Sequence, residues 1–158
     1  MEKETNIQYR VIKLGIKPPV FDEEKSWMKV FSPGDIFITP DEVAVISTGI
    51  AFTFPNEIGL MVLPTSEMCH QSTLRYNKGP MILENSYYSG EEVIICLKNI
   101  YPVTDDVRKV SEYKLIDGTV VSDPDNLYDE GTVKVCKGDC LAHITVVDAF
   151  YNDREFIK

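Results

Sequence analysis

One stretch limits the fold more than any other: Val43–Pro64, VAVISTGIAFTFPNEIGLMVLP. Apolar residues run through it with little polar interruption, the pattern of strands buried on both faces. Pro55-Asn56 divides it into two long strands. Ser47-Thr48-Gly49 breaks the first of them, and a glycine inside a strand marks a bulge or a close backbone approach. Val133–Val147 has the same character: strand, tight Lys137-Gly138-Asp139 turn, strand. Many short strands between turn signals predict an all-β sandwich or barrel. With 158 residues, the chain is expected to form a single domain, 1–158, around one core.

The remaining segments fit that class. Ile7–Leu14 alternates as a first strand, and Phe21–Trp27 reads as an acidic loop or one helical turn. Met28–Phe31 and Asp35–Ile38 are short strands around a Ser32-Pro33-Gly34 turn. Thr65–Gln71 loses the two-residue period and predicts the one short helix, with Ser66 as its cap. Leu74–Tyr76 and Met81–Leu83 read as a hairpin around Asn77-Lys78-Gly79-Pro80, Ser86–Gly90 as a turn, and Glu91–Ile100 as a buried strand. Tyr101–Gly131 is polar and turn-rich, an excursion from the main sheet over residues 101–131. Within it, Tyr113–Val121 predicts a hairpin with Asp117-Gly118 in a type I′ turn.

Charge and cysteine usage exclude several functions. A formal net charge of -9 argues against nucleic-acid or anionic-membrane partners, which require basic patches. The spacing Cys136-x-x-x-Cys140 has no second pair to complete a zinc site, so no metal is expected there. Cys96 and Cys136 read as small apolar residues on strands. No apolar leader or membrane span is evident, so a reducing cytoplasm is the expected location.

Ser47-Thr48-Gly49-Ile50-Ala51-Phe52-Thr53-Phe54-Pro55 resembles the S-T-G-hydrophobic-A strand of the trimeric dUTPase and dCTP deaminase superfamily. Ile38–Glu42 (ITPDE) resembles the turn before that strand, and Gly59–Ser66 (GLMVLPTS) the strand leading into the phosphate-contacting P-R-S-G motif. Lys137-Gly138-Asp139-Cys140-Leu141-Ala142-His143 is similar to the G-D-R-I-A-Q motif. Order and spacing agree over Met28–Asn99 and Val133–Val147. The resemblance implies a distorted jelly-roll barrel or sandwich, a homotrimer, and nucleotide sites between subunits. It implies nucleotide-binding roles for Ser66, Asn77, Gly79, Leu83, Tyr88 and His143. Bland roles compete: Tyr88 as a strand-end aromatic, Ser66 as a helix cap, and His143 as a satisfied core or interface histidine.

The departures fall on the reactive positions. Lys29 stands where the first motif has Asp, Thr65 where the second has Arg, and Glu67 where it has Gly. The catalytic Asp of the third motif aligns with Asn85, or with Ser86 when the frame is anchored on Asn99. Cys140 and His143 replace the Arg and Gln of the fourth motif, and the Gly-rich final motif is missing. Triphosphate hydrolysis needs a base, positive charge on the phosphates and usually Mg²⁺. Asn85 cannot accept a proton from water, and Glu84, one residue away, points to the opposite face of a strand. The expectation is a dUTPase-fold protein that binds a protein partner or a deoxynucleotide without hydrolysing it. A divergent Mg²⁺-dependent deoxynucleotide triphosphatase with Glu84, and Asn85 beside it, at the reacting centre is the alternative. A structural subunit, for instance of a viral assembly, is the third reading.

Overall fold

The structure, a computed structural model, describes residues 7–84 and 90–148. The first half of the chain forms strands β1 (Gln8–Val11), β2 (Val20–Asp22), β3 (Trp27–Phe31), β4 (Ile36–Ile38), β5 (Val43–Thr53) and β6 (Ile58–Leu63), then helix α1 (Ser66–Gln71). The second half forms β7 (Leu74–Tyr76), β8 (Met81–Glu84), β9 (Glu92–Asn99), β10 (Lys109–Val110), β11 (Glu112–Leu115), β12 (Val120–Ser122), β13 (Tyr128–Asp129), β14 (Val133–Val135) and β15 (Cys140–Asp148). Three sheets carry the fold, ordered β1-β5-β9-β7, β12-β11-β14-β4 and β2-β3-β15-β6-β8, with β10-β13 as a separate pair. None closes into a barrel among the described residues. Their inner faces meet in one apolar cluster. Phe52, Ile46 and Ile95 come from the first sheet, Ile38 and Val135 from the second, and Val30, Leu60 and Ile144 from the third.

The all-β class with one short helix is what the sequence predicts, but strand partners differ from the local reading. β5 and β6 lie in different sheets, and the chain crosses between them at Pro55-Asn56. Pro55 has no N–H to continue a ladder, and its carbonyl accepts from Ile58 N at 3.3 Å as the chain turns. β7 and β8 are not a hairpin: β7 pairs with β9 and β8 with β6. β3 and β4 also part company at their turn, as do β14 and β15 at theirs. Nor is β5 buried on both faces throughout. Val45 is 66% exposed, because the first half of the strand turns one face to solvent.

Smaller corrections have local causes. Phe21–Trp27 contributes to strands at both ends, since β2 pairs with β3, and only residues 23–26 form the expected turn, with Ser26 N donating to Asp22 O at 3.0 Å. Asp22 Oδ1 accepts from Glu24 N and Lys25 N to close that hairpin. Thr65, not Ser66, caps α1, accepting from Met68 N at 3.2 Å. The Asp117-Gly118 turn is not type I′, which needs two positive φ values; Gly118 alone has one (+86°). Leu115 carbonyl accepts from Gly118 N, and Asp117 Oδ1 from Thr119 N, which fits a longer loop. Cys136 lies past the end of β14, and all four cysteines are free and half-buried rather than fully buried.

The glycine signal in β5 is answered twice over. Pairing with β9 shifts register between Ser47 and Ala51, the mark of a bulge. Gly49 has φ +74°, and its backbone is approached closely by Ile16. Residues 101–131 supply β10 to β13, and β11 lies parallel to β14 (Lys114↔Val133), which ties them to the second sheet. Asn99 anchors the start of that segment. Its Nδ2 donates to Ile38 O at 2.9 Å and Gly131 O at 2.8 Å, while its Oδ1 accepts from Thr73 Oγ1 and Tyr101 N.

Candidate functional site

The positions that align with phosphate-handling motifs meet where β3, β15 and β6 run side by side toward α1. Lys29 on β3, His143 on β15 and Leu63 on β6 form one row across the sheet. Beneath it the buried Tyr76 hydroxyl donates to Leu141 O at 2.6 Å and lies 3.3 Å from Leu63 O. It thereby clamps β15 to the end of β6, and burial pushes its pKa well above the usual tyrosine value. Thr65, the residue in the place of the motif arginine, is buried and spends its hydroxyl on the α1 cap. Ser66 next to it is exposed.

The electrostatics of this corner are acidic. Burial, reinforced by the negative charges of Asp117, Glu67 and Asp35, raises the Asp139 carboxyl, although Cys136 N donates to it at 2.7 Å. Burial also raises the Cys140 thiol; Lys29 pulls it down and Glu67 pushes it up. Lys29 and Glu67 thus bear on the Cys140 thiol with opposite sign, and Glu67 bears on Asp139 as well. His143 is half-buried and stacks on Trp27, ring centroids 4.1 Å apart and planes 14° apart. Burial, then Lys29 and Lys25, lower its pKa, so the ring is neutral at pH 7. The Trp27 indole N–H is buried without an acceptor.

The other expected residues are placed elsewhere. Leu83 faces the core opposite Leu60, a packing position rather than a ligand position. Asn77 is exposed, and Gly79 serves a positive φ of +75° in the loop between β7 and β8. Glu84 ends β8 opposite Gly59 and is half-buried. Gly59 lies four residues along β6 from Leu63, about 13 Å at 3.3 Å per residue. One chain therefore does not bring Glu84 to the Lys29–His143 row. Asn85, Ser86 and Tyr88 lie outside the described residues. Among the described residues, no group of three or more His, Cys, Asp or Glu side chains is placed to hold a metal ion.

Glu92, at the start of β9, is engaged with the β5 bulge. Its carboxylate accepts from the Ser47 hydroxyl and from Gly49 N (2.7 Å) and pairs with Lys13 at 3.5 Å. The Ser47 hydrogen bond, ahead of the others, holds its pKa below the usual glutamate value. It stabilises the β5 bulge.

Two features were not legible in the sequence. A cavity of about 370 Å³ opens between the end of α1 and the 101–131 segment, lined by His70, Tyr101, Glu112 and Glu130 among others. Phe37 and Tyr113 of the second sheet and Tyr128 of β13 form an aromatic cluster. Each ring comes from a separate part of the chain, so no local motif announces the group.

No family model and no curated protein matches the chain. Solved structures do. A mutant dUTPase of S. aureus phage phi11, described as revealing coordination of a structural Mg(II) ion, superposes with TM-score 0.84 at 19% identity, covering 97% of each chain. A mutant Staphylococcus bacteriophage 80alpha dUTPase with dUpNHpp gives 0.83 at 19% identity, over 97% of this chain and 88% of that one. Another 80alpha dUTPase mutant, described in terms of its SaPI-inducing capacity, gives 0.85 at 18%, over 99% and 91%. The chain is thus an all-β protein of layered sheets. Its fold is the dUTPase-like fold, present over essentially its full length.

Proposed function

We propose that this chain is a dUTPase-fold subunit that works by binding, with a protein partner as its first ligand and a deoxynucleotide as the second choice. The carrying observation is the acidic corner at the ancestral phosphate position. Thr65 is committed to a helix cap, and the exposed Glu67 stands in the first turn of that helix, where the motif has glycine. Removing one charge-stabilising donor costs a catalyst about 10²–10³-fold, and removing a general base about 10²–10⁴-fold. The Glu67 carboxylate, two residues from the donor's place, adds repulsion. The description of 80alpha dUTPases as controlling the transfer of virulence genes supports reading this scaffold as one that signals.

The assembly is a homotrimer in this reading. The likeness of fold to the phage dUTPases supports it. No helix among the described residues is long and apolar enough to cross a membrane. Cytoplasmic location and action within an infected host cell follow as part of the same proposal. Residues 101–131 are the segment assigned to partner contact, because loops on a rigid sheet carry recognition.

Thermal scanning against the deoxynucleoside triphosphates and dUTP tests the choice of ligand. A ligand at 100 times its Kd stabilises by about 2.7 kcal/mol through mass action. Protein binding as the main role predicts melting temperatures unchanged by every nucleotide, with or without Mg²⁺. A shift with one base alone would move the assignment to a nucleotide sensor. Unchanged melting together with no partner contact at residues 101–131 would favour a structural subunit.

A further inference from the structure

We propose that the outward face of the β12-β11-β14-β4 sheet docks an arginine-bearing segment of a partner protein. The proposal deepens the binding reading above by naming the surface and the chemistry of the partner. Phe37 on β4 stands opposite Lys134 on β14, and Tyr113 lies on the adjoining β11. Tyr128 completes the group from β13. Phe37 and Tyr128 stack with centroids 5.3 Å apart, and Tyr113 meets each edge-on at 5.1 Å. Phe37 is 40% exposed on an edge strand, so the cluster reaches the surface there.

The cluster is held in place before any partner arrives. The Tyr128 hydroxyl donates to Asp123 Oδ2 at 2.6 Å, and Asn126 Nδ2 donates to the same oxygen at 3.0 Å. Asp123 is itself fixed through its N–H to Ser111 O. Fixed rings lose little freedom on binding, which is why aromatic anchors dominate interface energetics.

The charge around the rings selects the partner. Residues 101–131 carry eight carboxylates against Arg108, Lys109 and Lys114. Asp35 and Asp123 border the cluster directly. Phosphate-bearing partners are repelled, and a second copy of this chain would set the same carboxylates against each other. Ring faces attract cations, and this group already does so: Lys134 Nζ lies 5.3 Å from the Phe37 centroid and 5.7 Å from that of Tyr113. Among the described residues no cation lies over Tyr128, which is half-buried, stacked on Phe37 and met edge-on by Tyr113, so the incoming group meets its remaining face. Arginine suits it better than lysine, because a planar guanidinium stacks on a ring while its edge meets a carboxylate in a fork.

The test uses the full chain labelled for NMR and an acetylated Gly-Arg-Gly-Ser repeat peptide, with the same peptide carrying citrulline as the neutral isostere. The arginine peptide should shift the amide signals of Phe37, Tyr113 and Tyr128 and bind about tenfold more tightly than the citrulline peptide. Phe37→Ser should weaken it about tenfold. That variant leaves net charge unchanged, so it separates docking at the rings from general attraction to an acidic protein. Tyr128→Phe keeps the ring but releases it from Asp123, so it should weaken binding by less than Phe37→Ser does. Equal affinity for both peptides, shifts confined to other surfaces, or full binding by folded Phe37→Ser would each overturn the proposal. So would a change of oligomeric state in Phe37→Ser, which would make the face a contact between copies. Nucleotide hydrolysis would refute the non-catalytic reading without touching these signals, and loss of peptide binding would leave the nucleotide result standing.

Discussion

Asn99→Ala is expected to lower the free energy of unfolding by about 3–5 kcal/mol. Asn99 is fully buried and uses both ends of its amide. Removing the side chain strands the carbonyls of Ile38 and Gly131 and the donors of Thr73 and Tyr101. Each stranded buried group costs about 1–3 kcal/mol, with some relaxation, so the sum falls short of four full penalties. The bonds also join three regions: β4, the entry to β7, and the closing end of the 101–131 segment. Urea denaturation should therefore show a lower midpoint, and limited proteolysis should cut first between Tyr101 and Gly131. Asn99→Asp separates hydrogen bonding from volume. It keeps the size but presents a buried carboxylate to two carbonyls, so its folded-state pKa is raised. The penalty should be largest at neutral pH and ease as pH falls through that raised value. A loss under about 1 kcal/mol for Asn99→Ala would show that the hub is dispensable.

Gly49→Ala should cost about 2–4 kcal/mol, although it adds a single methyl group. At φ +74° an L side chain is strained, and the new Cβ would lie 2.0 Å from Ile16 Cδ1 and 3.3 Å from Lys13 Cβ. Ile16 must swing away, taking with it the loop whose Lys13 ammonium bonds Ser47 Oγ at 2.5 Å. Gly49 N also donates to Glu92 Oε1, so strain at this residue loosens the tie between β5 and β9. Calorimetry should record a clear fall in Tm. A variant that melts with the parent would mean that the bulge is not the rigid joint described here.

Both positions show what the sequence could and could not convey. Gly49 announced a bulge because glycine inside an apolar strand has few other uses. The hydrophobic runs marked nearly every strand, since alternation and burial are local properties. Pairing is not local: the links at Pro55, at Asn77–Pro80 and at Lys137–Asp139 each carry the chain into another sheet, while the residues themselves say only that it turns. Capping failed by one residue, because Thr65 and Ser66 both offer a hydroxyl and only backbone geometry chooses between them. At the candidate site, Lys29, Glu67 and Cys140 were legible as departures in charge, and they do share one corner. Leu83 was read as a ligand from its place in a motif, yet the strand points it into the core. The aromatic face escaped notice for the reason the pairing did: Phe37, Tyr113 and Tyr128 meet only after three strands are laid together.

Pyrophosphate release bears most directly on the central claim that the scaffold persists without its chemistry. Purified protein is incubated with Mg²⁺ and, in turn, dUTP and each deoxynucleoside triphosphate. The account predicts release no faster than in the protein-free control for every nucleotide. Release above that control that disappears in Glu84→Gln would contradict it and identify a working triphosphatase.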